Sequence, residues 1–421
     1  MKDNEQSVPW RRNVTLFLTG QTVSLFGSMV VQYAVMWWVT LETRSGLAVA
    51  LYAVAAFLPQ GLVSLFGGVL ADRMNRRVLV MIADACIAAA TLVLAMLMAN
   101  GVTDLWIVLL AVAVRSVGAG VQTPAVQAII PQIVPAEQLM RVNGIFQTIS
   151  SAMALLAPAA AGAIYAAVGI VPVFFLDVVT AVAGIGLLAL VAVPTLERAA
   201  GAGASSYRQD LVEGMRYIRA NTVVRWLLIV YTIIFLLTVA PSFVTPLMVA
   251  RTFGSEEWML AVLEIAFSLG MLLGGVLMST WLANRGRVGL ILVAVYGFGA
   301  VTVGLGLSTN LWVFYGFMFV LGLLVPPFST PFMTLIQETV EATMHGRVFS
   351  YVSIVMALAT PVGMVVFGPL ADVVSVEALL IAAGLATVVV MAISTRLPSG
   401  RAAVAASRAP APEPSAAETS S

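Results

Sequence analysis

Four ionisable residues stand inside stretches that otherwise carry almost only apolar side chains. They are Asp84 in VLVMIADACIAAATLVL, Arg115 in LLAVAVRSVGAGVQ, Asp177 in VPVFFLDVVTAVAG and Glu264 in WMLAVLEIAFSLGML. A charge in a hydrocarbon layer costs on the order of 3 kcal/mol on insertion scales, so each needs a reason to be there. Carboxylates can take up and release protons. An arginine keeps its proton, so Arg115 either biases the protonation of a nearby acid or organises a polar network. As proton carriers Asp84 and Glu264 rank first, because each is followed by an extended apolar run, and Asp177 follows them. The structural alternatives are an arginine tied to helix carbonyls and acids that only cap or pack near lipid headgroups.

A second constellation is the segment Gly68-Val69-Leu70-Ala71-Asp72-Arg73-Met74-Asn75-Arg76-Arg77, which joins two apolar runs. Gly68 permits close backbone approach. Asp72 can accept from backbone donors at a neighbouring helix start or pair with Arg73 or Arg77, which makes a latch that holds in one conformation and breaks in another. Asn75 suits a left-handed turn residue.

The elements that carry these residues must be membrane helices. The 421 residues are 61% hydrophobic and 10% charged, and the mean hydropathy is +1.01. Twelve apolar runs are read at 14–40, 47–70, 78–99, 105–127, 143–166, 171–193, 224–249, 257–281, 288–308, 311–335, 347–370 and 376–395. Each crosses a ~30 Å layer at ~1.5 Å rise per residue, whereas a barrel strand would need only ~9–11 residues. The polar start reads as no cleavable signal peptide, and Cys86, the only cysteine, excludes a disulfide within the chain.

Basic residues set an orientation. With both ends cytoplasmic, eighteen of the 21 lie inside, only Arg44 and Arg251 lie outside, and Arg115 lies within the membrane. The net charge of +1 gives no ground for nucleic-acid binding.

A weak internal repeat divides the chain. Gly67-Gly68-Val69-Leu70 recurs as Gly274-Gly275-Val276-Leu277 and Thr123-Pro124 as Thr330-Pro331, both 207 residues on. Met153-Ala154-Leu155 with Pro158 recurs as Met356-Ala357-Leu358 with Pro361. Two parallel six-span units suggest a substrate route between them and alternating access. The expected division is a six-helix half over 1–193, a cytoplasmic linker over 194–223, a second half over 224–396, and a disordered tail over 397–421. From Tyr207 to Arg219 the linker shows Leu211, Met215 and Ile218 at helix spacing among charges, as in an amphipathic surface helix.

The segment from Gly68 to Arg77 resembles the signature loop of the major facilitator superfamily; Asp72, Arg73 and Arg77 match it, and Asn75 replaces its usual glycine. Further on come Thr123-Pro124-Ala125-Val126-Gln127-Ala128, Val134-Pro135-Ala136-Glu137-Gln138-Leu139, Arg141-Val142-Asn143-Gly144 and Gly346-Arg347-Val348. These are similar to the macrolide-efflux and drug–proton antiporter branch, although of the span-5 glycine-rich signature only Pro158 and Gly162 remain. The resemblance implies an all-α fold of twelve transmembrane helices in two six-helix halves, in the plasma membrane. It also implies an antiporter-type arginine at Arg115 and a cavity lined by spans 1, 4, 7 and 10. Those spans offer Gln21, Gln32, Tyr33, Trp37, Gln122, Gln127, Tyr231, Thr238, Tyr315 and Phe319. An aromatic, sparsely polar cavity suits amphipathic compounds better than sugars or nucleotides. Trp37, Trp38 and Trp312 have the alternative role of interfacial belt residues.

The leading expectation is therefore an exporter of hydrophobic or amphipathic compounds, drugs or macrolides among them, working as a monomer with protons as coupling ion. The alternatives are a dedicated exporter of a siderophore or other metabolite, and a transporter-like sensor or scaffold. No phosphate-binding loop is present and Lys2 is the only lysine, so ATP hydrolysis and an enzyme reading are disfavoured, and no cofactor or metal is called for.

Overall fold

In hydrocarbon every backbone N–H and C=O must find its partner within the segment, so long apolar runs fold as helices. The structure, a computed structural model, describes residues 10–193, 207–254, 256–282, 285–341, 344–398 and 400–401; along 65–73 it describes the backbone but not the side chains. Among the described residues twelve helical segments are long and apolar enough to cross a membrane. The first six are α1 (Trp10–Thr43), α2 (Gly46–Arg73), α3 (Arg76–Ala99), α4 (Leu105–Ile133), α5 (Leu139–Val168) and α6 (Ile170–Ala189). A shorter helix, α7 (Tyr207–Ala220), precedes the seventh crossing. That crossing comprises α8 (Thr222–Val239), a π-helical turn (Ala240–Val244), α9 (Thr245–Met248) and a second π-helical turn (Val249–Phe253). The last five are α10 (Glu257–Thr280), α11 (Arg287–Leu307), α12 (Leu311–Thr339), α13 (His345–Val373) and α14 (Val376–Arg396).

The repeat reappears as a repeated packing pattern. In the first half α2 packs on α4, α3 on α4 and α6, and α1 on α5 and α6. In the second, α10 packs on α12, α11 on α12 and α14, and α8 on α13 and α14. The halves meet through α2 against α13 and through α5 against α10, two contacts that exchange when the halves are exchanged. Small residues permit both. A Cβ on Gly46 would lie 2.2 Å from the Gly368 carbonyl oxygen, and one on Gly162 would lie 2.4 Å from Ala261 Cβ.

Several boundaries differ from those read in the sequence. α4 runs on to Ile133 through Pro124 and Pro131, and α12 runs on to Thr339 through Pro326, Pro327 and Pro331. Inside a bundle a proline bends a helix without ending it, because neighbouring groups satisfy the freed carbonyls. The turn after α2 is also shorter than the motif suggests. Asn75 is extended (φ −63°, ψ 113°) rather than left-handed, and its side chain caps α3 by accepting from the backbone N–H groups of Arg77 and Val78. Asparagine replaces the motif glycine here as a helix cap.

The seventh crossing is where the helix geometry departs most from regularity. Pro241 and Pro246 remove two backbone donors, and hydroxyls take up acceptors nearby: Thr245 Oγ1 donates to the Pro241 carbonyl (2.5 Å) and Ser242 Oγ to the Thr238 carbonyl (2.8 Å). π-turns of this kind re-aim side chains and often mark functional positions. α7 docks on the second half: Glu213 pairs with Arg347 (3.0 Å), and the Tyr217 hydroxyl accepts from the Glu341 N–H (3.2 Å). Ile218 is buried beneath it.

Candidate functional site

Three groups of residues stand out. The first is a buried ion pair within the first half. Arg115 of α4 reaches Asp177 of α6, and its Nη1 also donates to Thr91 Oγ1 of α3. Thr91 Oγ1 donates to Asp177 Oδ2 (2.9 Å) and Ser28 Oγ of α1 donates to Oδ1 (3.2 Å). Asp177 is 1% exposed, so its charge is held entirely by these partners. α1 comes this close because Gly27 has no side chain: a Cβ there would lie 1.9 Å from Thr180 Oγ1. Arg115 thus meets the acid ranked last among the three in the sequence.

Asp84 sits apart from that pair. It is 2% exposed on α3, its Oδ1 accepts from Gln122 Nε2 of α4, and its Oδ2 has no hydrogen-bond partner.

The second group lines two cavities that adjoin. A smaller one, of ≈ 90 Å3, is bordered by Arg115, Ser28, Ser116 and Gln60. A larger one, of ≈ 190 Å3, lies between the halves, with Tyr33 and Met36 of α1, Tyr52 and Phe57 of α2, Ser242 and Phe243 of the first π-turn, and Glu264 and Phe267 of α10 around it. Gln32 and Tyr52 border both, and the Tyr52 hydroxyl donates to the Gln32 carbonyl (2.8 Å), so this pair forms the partition.

The remaining sequence candidates fall around these cavities or away from them. Gln21 and Trp37 are buried in α1, and Trp37 packs on Tyr33 with ring centroids 5.9 Å apart. Trp37 and Trp38 are core residues rather than belt residues, whereas Trp312 is 69% exposed and fits the belt. Gln127 is exposed on α4. Tyr231 stacks on Phe332 at 4.2 Å and belongs to an aromatic column inside the second half. Thr238 donates to the Phe235 carbonyl and Tyr315 to the Met259 carbonyl. On α12 the larger cavity meets Met318 and Leu321, while the Phe319 carbonyl faces Gly270 of α10. Of the sequence-read latch, the side chains of Asp72 and Arg73 lie outside the described ones, and of Gly68 only the helical backbone is described. Arg77 donates to the carbonyls of Ala189 and Val191, at and just past the end of α6.

The third group carries no mark in the apolar pattern. At the end of the bundle where α1 turns into α2, Asp372 of α13 accepts from Ser45 Oγ (2.9 Å), Gly46 N (2.6 Å) and Leu47 N (2.8 Å). It thereby caps the start of α2 from the opposite half. Arg251 of the seventh crossing pairs with Asp372 (2.6 Å) and donates to the Ala371 carbonyl and, twice, to the Arg44 carbonyl (2.9 and 2.6 Å). Arg44 turns the chain with a positive φ of 46°. Arg44 and Arg251 are 207 residues apart, the offset of the repeat, so equivalent positions of the two halves meet here. The polar clasp and the Gly46–Gly368 crossing tie the two halves together at this end of the bundle.

Comparison with known proteins agrees with this geometry. The family model described as Major Facilitator Superfamily matches residues 17–364. "Macrolide efflux protein A" of Streptococcus pyogenes is 30% identical over 365 residues, covering 86% of this chain and 90% of that protein. "Multidrug efflux pump Tap" of Mycolicibacterium fortuitum is 25% identical over 393 residues, covering 88% and 92%. Among solved structures, a bacterial homologue of the iron transporter ferroportin in the inward-facing state superposes with a TM-score of 0.69 at 18% identity, covering 93% of this chain and 100% of that one. An inward-facing, unoccupied bacterial homologue of the human lysosomal transporter Spinster gives 0.67 at 15% identity, covering 96% and 100%. At such identities the structures speak for the fold alone. With twelve crossings, two repeat-related halves and a cavity between them, the chain is a multi-pass membrane transporter that belongs to the Major Facilitator Superfamily.

Proposed function

We propose that the protein exports hydrophobic or amphipathic compounds, macrolides among them, by proton antiport with alternating access. The observation that carries this reading is the cavity between the halves, which is walled mainly by aromatic and aliphatic side chains, its polar groups being Gln32, Ser242, Glu264 and the hydroxyls of Tyr33 and Tyr52. A polyhydroxylated solute would leave most of its hydroxyls unpaired there, at a cost of roughly 1–3 kcal/mol each. An amphipathic solute needs only one or two polar contacts. The likeness to two proteins named for macrolide and multidrug efflux supports the same reading.

Coupling is assigned to the acids in the membrane. Asp84, with one carboxylate oxygen unpartnered, is suited to carry a proton, and Asp177 with Arg115 forms a pair that protonation would loosen. Glu264 places a third acid at the substrate cavity. With the basic residues inside, both termini face the cytoplasm, the Arg44 turn faces outward, and the clasp closes the outer mouth. The structure is then a state awaiting substrate from within.

The test is transport in proteoliposomes with an imposed pH gradient, over a panel of amphipathic compounds with a sugar and a nucleoside as controls. Gradient-driven movement of amphipathic compounds but not of the controls is expected. Movement that ignores the gradient refutes antiport, and no movement of any compound refutes export.

A further inference from the structure

The short helix α7 spends its apolar face on the protein itself. Gly214 packs so closely on α13 that a Cβ there would lie 3.1 Å from the Tyr351 ring and 3.2 Å from Arg347 Cβ, and Ile218 is buried. Glu213 pairs with Arg347, and the Tyr217 hydroxyl accepts from the Glu341 N–H in the turn before α13. Arg347 and Tyr351 belong to the first two turns of α13, where that crossing begins, so α7 lies across the end of the bundle at the level of the membrane surface. An interfacial amphipathic helix would keep its apolar face for the acyl chains instead.

The opposite face is free and basic. At roughly 100° per residue, Val212, Arg216 and Arg219 form one stripe turned away from Gly214 and Ile218. All three are exposed. Asn221 then caps α8 by accepting from the N–H groups of Val223 and Val224, and α8 begins at Thr222. From the first turn of α8, Arg225 reaches back and donates to the Arg219 carbonyl (2.7 Å). Arg219 and Arg225 therefore flank the point where the chain enters the membrane. The ion pairs among the described residues are Arg115–Asp177, Arg251–Asp372, Arg287–Glu338 and Arg347–Glu213, and none involves Arg216, Arg219 or Arg225. Glu213, one turn before Arg216, is taken up by Arg347. Three guanidinium groups at headgroup depth, without a described counter-charge, suit a phosphate that the bilayer itself presents.

We propose that the face formed by Arg216, Arg219 and Arg225 binds the phosphate of an anionic phospholipid of the phosphatidylglycerol type, and that this lipid holds α7 against the end of the second half. The headgroup layer is roughly 5–8 Å deep on each side of the hydrocarbon, so a stripe beside the membrane entry of α8 meets it along its length. Val212, on the same stripe, adds an apolar contact for which a soluble anion has no use. A zwitterionic lipid carries its own ammonium beside the phosphate and gains less from the arginines. The inference goes beyond the exporter reading and takes nothing from it, because lipid binding is read without transport and without a choice of orientation.

The experiment is a titration of the full chain in neutral maltoside micelles, carrying Cys86→Ser and a bimane label on Ala220→Cys, an exposed position beside the stripe. The probes are dihexanoylphosphatidylglycerol, dihexanoylphosphatidylcholine, inorganic phosphate and a polyglutamate peptide. The phosphatidylglycerol should shift the label saturably, at a concentration about tenfold or more below that needed for the phosphatidylcholine. Inorganic phosphate and the peptide should have no effect over the same range. Loss of one arginine near the membrane surface costs about fivefold, so Arg216→Gln with Arg219→Gln should weaken the binding about 25-fold. Should the double variant fail to fold, Arg216→Gln alone serves instead, with a loss of about fivefold expected. Arg216→Lys, which keeps the charge and loses the planar fork, should fall between the parent and Arg216→Gln. Absence of a saturable response to phosphatidylglycerol, equal affinity for the two lipids, or parent-like affinity in the folded glutamine variant would each overturn the proposal. Inorganic phosphate acting as well as the lipid would assign the face to soluble phosphate compounds, and the peptide acting as well would assign it to an acidic protein; either result overturns the lipid reading.

Discussion

Removing the Asp372 carboxylate should open the end of the molecule that the clasp closes. The side chain accepts four hydrogen bonds, from Ser45 Oγ, Gly46 N, Leu47 N and Arg251 Nη2, and three of those donors belong to the opposite half. Asp372 and Arg251 side chains are 31% and 28% exposed, so water competes for both partners. Discounted for that exposure, each of the three bonds that cross between the halves contributes about 0.5–1 kcal/mol to the closed state, together about 1.5–3 kcal/mol. Such a difference moves the closed-to-open ratio about 10- to 150-fold, which brings a state favoured ~100:1 toward parity. Asp372→Asn keeps an acceptor and loses the charge, so it should give about half the free-energy change. The assay is a spin-label distance distribution between Glu42→Cys and Val374→Cys in a Cys86→Ser background, in nanodiscs. A second, longer distance population is expected in Asp372→Ala, smaller in Asp372→Asn. A single distance identical to that of the parent would refute the clasp as a gate, whatever happened to transport.

Three further outcomes are expected. Arg115→Ala leaves the 1%-exposed Asp177 charge unpaired and should cost about 3 kcal/mol of stability; adding Asp177→Asn should restore most of the thermal unfolding temperature, and a double variant no more stable than the single one would contradict the pairing. In intact cells, an impermeant maleimide added outside should label a cysteine at Glu42 and not one at Ser279, both exposed positions at opposite ends of the bundle; the reverse pattern would invert the orientation. Asp72→Asn should slow transport severalfold at matched protein level, and an unchanged rate would remove Asp72 from the conformational cycle.

Hydropathy and length disclose the twelve crossings because the bilayer leaves a helix as the only economical answer for each run. The repeat, visible as three short matches, implies two related halves, and which helices join them, α2 with α13 and α5 with α10, is seen only in the structure. Partner choice is another matter. Arg115 and Asp177 are 62 residues apart on helices that touch only in the folded bundle, and no local spacing favours Asp177 over Asp84. Which face a glutamine presents is likewise settled by packing, so Gln32 borders two cavities and Gln127 is exposed on α4. The clasp had a signal that charge counting conceals. Arg44 and Arg251 enter the topology argument only as two exceptions on the outer side, yet their separation is the 207-residue offset of the repeat. Basic residues that recur at a repeat offset, on the side where they are scarce, mark a place where the halves converge.

Two separate requirements meet at the partition between the cavities. Glu264 and the rings around it line the larger cavity, while Arg115, paired with Asp177, borders the smaller one across Gln32 and Tyr52. α1 carries residues of both environments: Ser28 bonds Asp177, Gln32 borders both cavities, and Tyr33 and Met36 face the substrate side. These positions lie within nine residues on one helix, about 12 Å of rise, so a small rotation or shift of α1 changes both environments together. Loosening Asp177 from Arg115 would free Ser28 and, through the same helix, disturb the Gln32–Tyr52 partition. Under the proposed antiport, coupling through the Arg115–Asp177 pair would need no direct contact between proton and substrate, only a helix whose position is set by the ion pair on one side and by the contents of the cavity on the other.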